Sequence, residues 1–84
     1  MWIETESGAI VNTDLTLAIT PECIDEAQDQ YELQAVFQLS PDGNRSAWCV
    51  GKGTLKQCDK ALRIIKQYLL DGNTFLRYDQ MTGA

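Results

Sequence analysis

The chain contains no histidine. This removes the side chain that most often carries protons near neutral pH, the usual partner of a serine or cysteine nucleophile, and the commonest nitrogen ligand of zinc. Classical catalytic triads are excluded outright. Cysteine is sparse and odd in number: Cys23, Cys49 and Cys58 form no close pair, so neither a disulfide framework nor a CxxC redox motif can be read and three reduced thiols are expected. No stretch approaches the roughly 18 apolar residues that span a bilayer. The opening Met1-Trp2-Ile3-Glu4-Thr5-Glu6 shows no basic region ahead of an apolar one, so a cytoplasmic protein with no membrane association is expected. Internal repeats, low-complexity tracts and interdomain linkers are also missing.

Basic charge is missing from one half of the chain. Residues 1–44 hold nine carboxylates and no Lys or Arg, whereas residues 45–84 hold all seven basic side chains against Asp59, Asp71 and Asp79, giving formal charges of −9 and +4. Such a division implies that one half folds against the other or that a partner reads one face. The composition, 44% apolar with moderate charge, belongs to an ordinary globular protein, and 84 residues make a single domain, 1–84, with one small core. A core of that size leaves sheet faces or edges uncovered, which makes self-association an expectation before any motif is considered.

The order of elements follows from punctuation and periodicity. Residues 2–6 and 9–12 read as strands around a Ser7-Gly8 turn, where Gly8 supplies positive φ cheaply. A kink at Asn12-Thr13-Asp14 precedes an alternation of Leu15, Leu17 and Ile19 that suits a half-buried strand. Thr20-Pro21-Glu22 then reads as a break, with residues 21–29 forming either an acidic loop or a short helix capped by Thr20. Tyr31, Leu33, Ala35, Phe37 and Leu39 alternate with more polar neighbours, the pattern of a strand with one face in the core. Ser40-Pro41-Asp42-Gly43-Asn44 is dense turn chemistry, and residues 46–51 form the returning arm of a hairpin.

The helix over residues 55–71 is the best-specified element. Thr54 and Gln57 are placed for a reciprocal capping box, and Gly72 supplies a left-handed stop. At 100° per residue, Leu55, Cys58, Ala61, Leu62, Ile65, Tyr68 and Leu69 fall within an arc of about 140°, a stripe suited to packing on a sheet. Ile64 lies outside it, about 180° from Leu55, so something besides the sheet is expected to cover it. Beyond Gly72, residues 74–78 suit a short strand or arm, and residues 79–84 a frayed tail. The fold class is therefore α+β: an antiparallel sheet of three to five strands packed against one C-terminal amphipathic helix, in the order β-β-β-β-α plus a C-terminal extension.

Three segments together, Trp2-Ile3-Glu4-Thr5 with Gly8 and Val11-Asn12, the strand at 31–39, and Gly53-Thr54 followed by Cys58, Leu62 and Ile65, resemble small uncharacterised bacterial or mobile-element proteins built of several strands followed by one helix. The resemblance spans about three-quarters of the chain. It implies a shape; no activity and no functional residue come with it.

Candidate chemistry is thin. Glu22, Asp25, Glu26, Asp29 and Glu32 crowd oxygen ligands together, but the spacing is not that of a calcium loop and no glycine supplies its sharp central turn, so a solvated acidic face is expected and no metal or cofactor is assigned. Cys58 falls on the packing stripe and reads as a small buried hydrophobe. Lys56, Lys60, Arg63 and Lys66 form a ribbon on the helix that can face phosphates, although a pI near 4.4 opposes attraction to polyanions. The reading that follows is a non-enzymatic interaction domain that self-associates, most simply as a homodimer, with Trp2, Ile64, Tyr68 and Tyr78 as contact residues. The alternatives are a nucleic-acid or phosphorylated-ligand binder that uses the basic ribbon, and a small-molecule binder with its pocket between Trp48, Phe37 and the helix.

Overall fold

The computed structural model describes residues 1–39, 41–43 and 45–82. The α+β class is borne out, but the strands divide into two three-stranded sheets. The first joins β1 (Trp2–Glu4), β2 (Ile10–Asn12) and β6 (Phe75–Leu76) in the order β2-β1-β6, and the second is a meander of β3 (Ala18–Asp25), β4 (Gln30–Leu39) and β5 (Arg45–Gly53). Helix α1 (Leu55–Leu70) packs on the second sheet, and a short helix α2 (Tyr78–Thr82) packs on α1.

The first sheet is closed by the chain's two ends. β1 pairs antiparallel with β2 through the turn at Gly8, whose φ is +87°, and parallel with β6 on its other edge. Ile3, Val11 and Leu76 lie in one row across the three strands and face inward, Ile3 and Leu76 with no exposed surface. Each buried aliphatic of this kind contributes about 1.5–3 kcal/mol, so the C-terminal extension is a structural strand and not a loose arm. The tail is corrected likewise: residues 78–82 are helical and bury Met81, while residues 83–84 lie outside the described residues. The kink after Asn12 is a 3₁₀ turn (Thr13–Leu15), in which the Asn12 side-chain oxygen accepts from the Asp14 amide at 3.0 Å.

The second sheet overturns the expected break at Pro21. β3 runs straight through it, with Pro21 opposite Leu33 and Glu22 opposite Glu32. β3 is an edge strand, where the amide that proline lacks has no ladder partner to lose. Residues 26–29 are the hairpin turn rather than a helix, and Asp29 closes it at φ +52°. Upstream, the expected strand at Leu15 and Leu17 starts only at Ala18, and both leucines are exposed. Of the second predicted turn, Ser40 and Asn44 lie outside the described residues, and Gly43 adopts φ +89°.

Two register shifts in the β4–β5 ladder matter for the surface. An extra residue enters β5 at Val50 and a compensating one enters β4 at Phe37. A bulge bends its strand and re-aims side chains. The Val50 carbonyl accepts the amide of Glu6 at 2.8 Å, which ties the two sheets together at that corner.

Helix α1 begins and ends as expected. Thr54 caps the Gln57 amide at 3.1 Å while the Gln57 side chain accepts from the Thr54 amide at 2.8 Å, and Gly72 takes φ +75°. Its buried face is rotated from the expected stripe. Cys58 and Ile65 are buried and Ala61, Leu62, Ile64 and Tyr68 pack against the core, whereas Leu55 and Leu69, on either side of Leu62, are exposed. On this side α2 packs on α1 and brings Met81 beside Cys58 and Ala61. Ile64 is thus covered by its own chain, while Leu70 stays 81% exposed.

Candidate functional site

Among the concavities bounded by described residues, two share no lining residue. The first is an apolar groove of about 320 Å³ where β1 and β2 meet the far end of the meander. Trp2 and Ile10 come from the first sheet, Leu15 from the 3₁₀ turn, and Phe37 and Trp48 from β4 and β5. Trp48 stands opposite Ala35 and so shares its inner sheet face, while Phe37 is the inserted residue of the β4 bulge. Trp2 and Trp48 are 47% and 48% exposed, and Ile10 and Leu15 are also exposed. Phe75 extends the apolar surface, because it is in register with Trp2 on the neighbouring strand.

The second concavity, about 240 Å³, lies between β5, α1 and α2. Its floor is Leu33, Val50, Cys58, Ala61 and Met81, and its rim carries Lys52, Gln57, Lys60 and Thr82. Tyr78 forms one wall. Its ring lies so close to Gly51 that a Cβ there would sit 2.8 Å from Cε2, its hydroxyl donates to Glu6 Oε2 at 2.7 Å, and its amide donates to Glu4 Oε1 at 3.3 Å. Of the residues expected to share a pocket, Trp48 and Phe37 line the groove, while the helix lines the other cavity.

Of the four contact residues expected from sequence, Trp2 is on the open surface, while Ile64, Tyr68 and Tyr78 are half-buried against the core of their own chain. Lys56, Lys60, Arg63 and Lys66 are all exposed, and none makes a hydrogen bond or ion pair with a described residue. The acidic half meets the basic half at one informative point: Asp29 Oδ1 accepts the amide of Leu55 at 3.3 Å, placing a carboxylate at the positive end of α1. The acidic side chains around it are strung along the β3–β4 hairpin, and among the described residues no three ligating side chains converge on a common point.

The half-buried thiol of Cys49 and the buried thiol of Cys58 are poorly suited to nucleophilic work. Burial, with a hydrogen bond to Glu32, pushes Cys49 up to about 11, and burial with the nearby Asp59 and Asp29 raises Cys58. Both are thiols, not thiolates, at neutral pH. Burial and the Glu6 carboxylate likewise push Tyr78 up to about 12.

The groove residues Ile10 and Leu15 were not legible as a site, because a strand of the first sheet and the 3₁₀ turn must pack beside β4 and β5 before they meet Trp48 and Phe37. No family model matches the chain, and neither the curated proteins nor the solved structures compared with it provide a match. No helix among the described residues is long and apolar enough to cross a membrane.

Proposed function

We propose that this protein is a non-enzymatic interaction domain that self-associates through the Trp2/Trp48 groove and the Phe75 surface beside it. The observation that carries this reading is the pair of half-exposed tryptophans on one groove, flanked by exposed Ile10, Leu15 and Phe75. The three aromatics alone leave roughly 300 Å² in water, already the size of the largest apolar patch on a typical monomer before the aliphatics are included. A standard interface buries about 800 Å² per partner around an apolar, aromatic-rich centre. A two-fold contact that brings this patch against its own copy supplies such a centre twice. Ile64, Tyr68 and Tyr78 are not part of the proposed contact.

Light scattering across micromolar concentrations tests it. The expected result is a mass approaching twice 9.4 kDa. Because each protomer has a net charge of −5, added salt should strengthen the dimer. Trp2→Glu and Trp48→Glu should each leave a monomer. A wild-type monomer at every concentration and salt level refutes the reading.

The exposed, unpaired ribbon of Lys56, Lys60, Arg63 and Lys66 favours a second reading, binding of nucleic acid or a phosphorylated ligand. That reading demands the opposite salt response, binding that weakens as ionic strength rises and is lost on reversing Lys60 and Arg63 to Glu.

A further inference from the structure

We propose that the cavity between β5, α1 and α2 is a binding site for a small organic anion, a carboxylate on an apolar body with about ten non-hydrogen atoms in all. This is independent of self-association, since the cavity and the Trp2/Trp48 groove share no lining residue.

The charge around the cavity carries the argument first. The chain has twelve acidic and seven basic side chains, yet the charged residues lining this cavity are Lys52 and Lys60 and no carboxylate. Neither lysine makes a hydrogen bond or ion pair with a described residue. Of the acids nearby, Glu6 accepts the Tyr78 hydroxyl, Asp29 accepts the Leu55 amide, and Glu32, opposite Lys52 across the ladder, holds the Cys49 thiol, while Asp59 lies beside Cys58 on the helix. Two ammonium groups that make no ion pair with a described residue, at the mouth of a partly desolvated cavity, attract an anion more strongly than the same groups in open water. The Gln57 amide and the Thr82 hydroxyl add neutral donors on the same rim.

The floor decides the rest of the ligand. Leu33, Val50, Cys58 and Met81 are each at most 4% exposed, so the interior is apolar and unsuited to a bare inorganic ion. A dry cavity of about 150 Å³ admits benzene; by that measure about 240 Å³ takes roughly ten non-hydrogen atoms. Small-molecule sites combine an apolar lining with a few convergent polar groups, as this one does. Tyr78 defines the wall, and its position depends on Gly51, because a side chain there would occupy the ring's place.

Octanoate has ten non-hydrogen atoms and serves as the probe, with 1-octanol as its uncharged counterpart. In a titration of the full chain followed by amide and methyl NMR, octanoate should shift Gly51, Ala61, Thr82 and the Met81 methyl in a saturable way, with 1-octanol binding at least tenfold more weakly. Lys52→Gln with Lys60→Gln changes two exposed side chains, leaves the fold intact by circular dichroism, and should weaken octanoate at least tenfold. Ala61→Leu, which fills the floor, should abolish the shifts while Trp2 and Trp48 resonances stay in place. The proposal is overturned by no saturable shift at 10 mM octanoate, by equal binding of octanoate and 1-octanol, by unchanged affinity in the double lysine variant, or by shifts that map to the Trp2/Trp48 groove instead.

Discussion

Replacing Gly51 with alanine tests how the C-terminal helix is held. Gly51 has no positive φ, so the backbone itself accepts alanine, and in a strand the change would ordinarily be neutral or slightly stabilising. Here the new Cβ would lie 2.8 Å from Tyr78 Cε2 and 3.0 Å from its hydroxyl oxygen, closer than carbon atoms approach. The ring cannot swing away freely. Its hydroxyl is bonded to Glu6 and its amide to Glu4, and three residues on Met81 is 1% exposed. Overpacking a fitted contact costs about 1–3 kcal/mol, and loosening a partly solvated bond to Glu6 adds at most about 1 kcal/mol. We expect a loss of about 2 kcal/mol, or roughly 10 °C in Tm for a domain of this length. Thermal and urea unfolding of wild type, Gly51→Ala, Tyr78→Ala and the double variant close the cycle. Once the ring is gone the alanine should cost nothing, so a coupling of about 2 kcal/mol is expected. Should Gly51→Ala cost the same in both backgrounds, the ring does not rest on the glycine and the described wall of the cavity is wrong.

Alkaline pH supplies a further expectation. Tyr78 is pushed to about 12 and Cys49 to about 11 in the folded chain, above their ordinary values of 10.0 and 9.0. For groups raised on folding, the stabilisation is full below the unfolded value and is lost as pH climbs through the folded one. Tm should therefore hold up to about pH 9 and fall between about pH 9 and 12, and Tyr78→Phe should flatten the upper part of that fall. The same shifts order the thiols: exposed Cys23 should react with a thiol reagent at pH 8 well before Cys49 or buried Cys58, as peptide mapping of partly labelled protein would show. At the β3–β4 turn, Asp29→Ala should cost about 1–2 kcal/mol, since it removes the acceptor for the Leu55 amide and sets an alanine at φ +52°. Asp29→Asn, which tolerates that φ and keeps a side-chain oxygen, should cost less than half as much; equal losses in the two variants would show that Asp29 neither caps nor closes the turn.

What the residues alone determined was local. Thr54 and Gln57 satisfy each other's amides and Gly72 takes the left-handed stop, so the ends of α1 were legible within four residues of each end. The alternation of 31–39 and the turn at Gly8 were legible for the same reason: each signal and its consequence lie side by side. Tertiary structure decided everything that required a distant partner. Pro21 reads as a break unless β3 is known to be an edge strand. The buried face of α1 depends on what packs around it, α2 included, which no helical wheel contains, and Ile64 lies against the core although it falls outside the predicted stripe. The two-residue β6 is too short to be told from a loop until Leu76 closes a row with Ile3 and Val11 at the other end of the chain. The groove that joins Trp2 to Trp48 comes from the same non-local packing. Hydrogen-bonding caps act over a single turn, whereas apolar burial is non-directional and is settled only when segments far apart in the chain compete for the same small core.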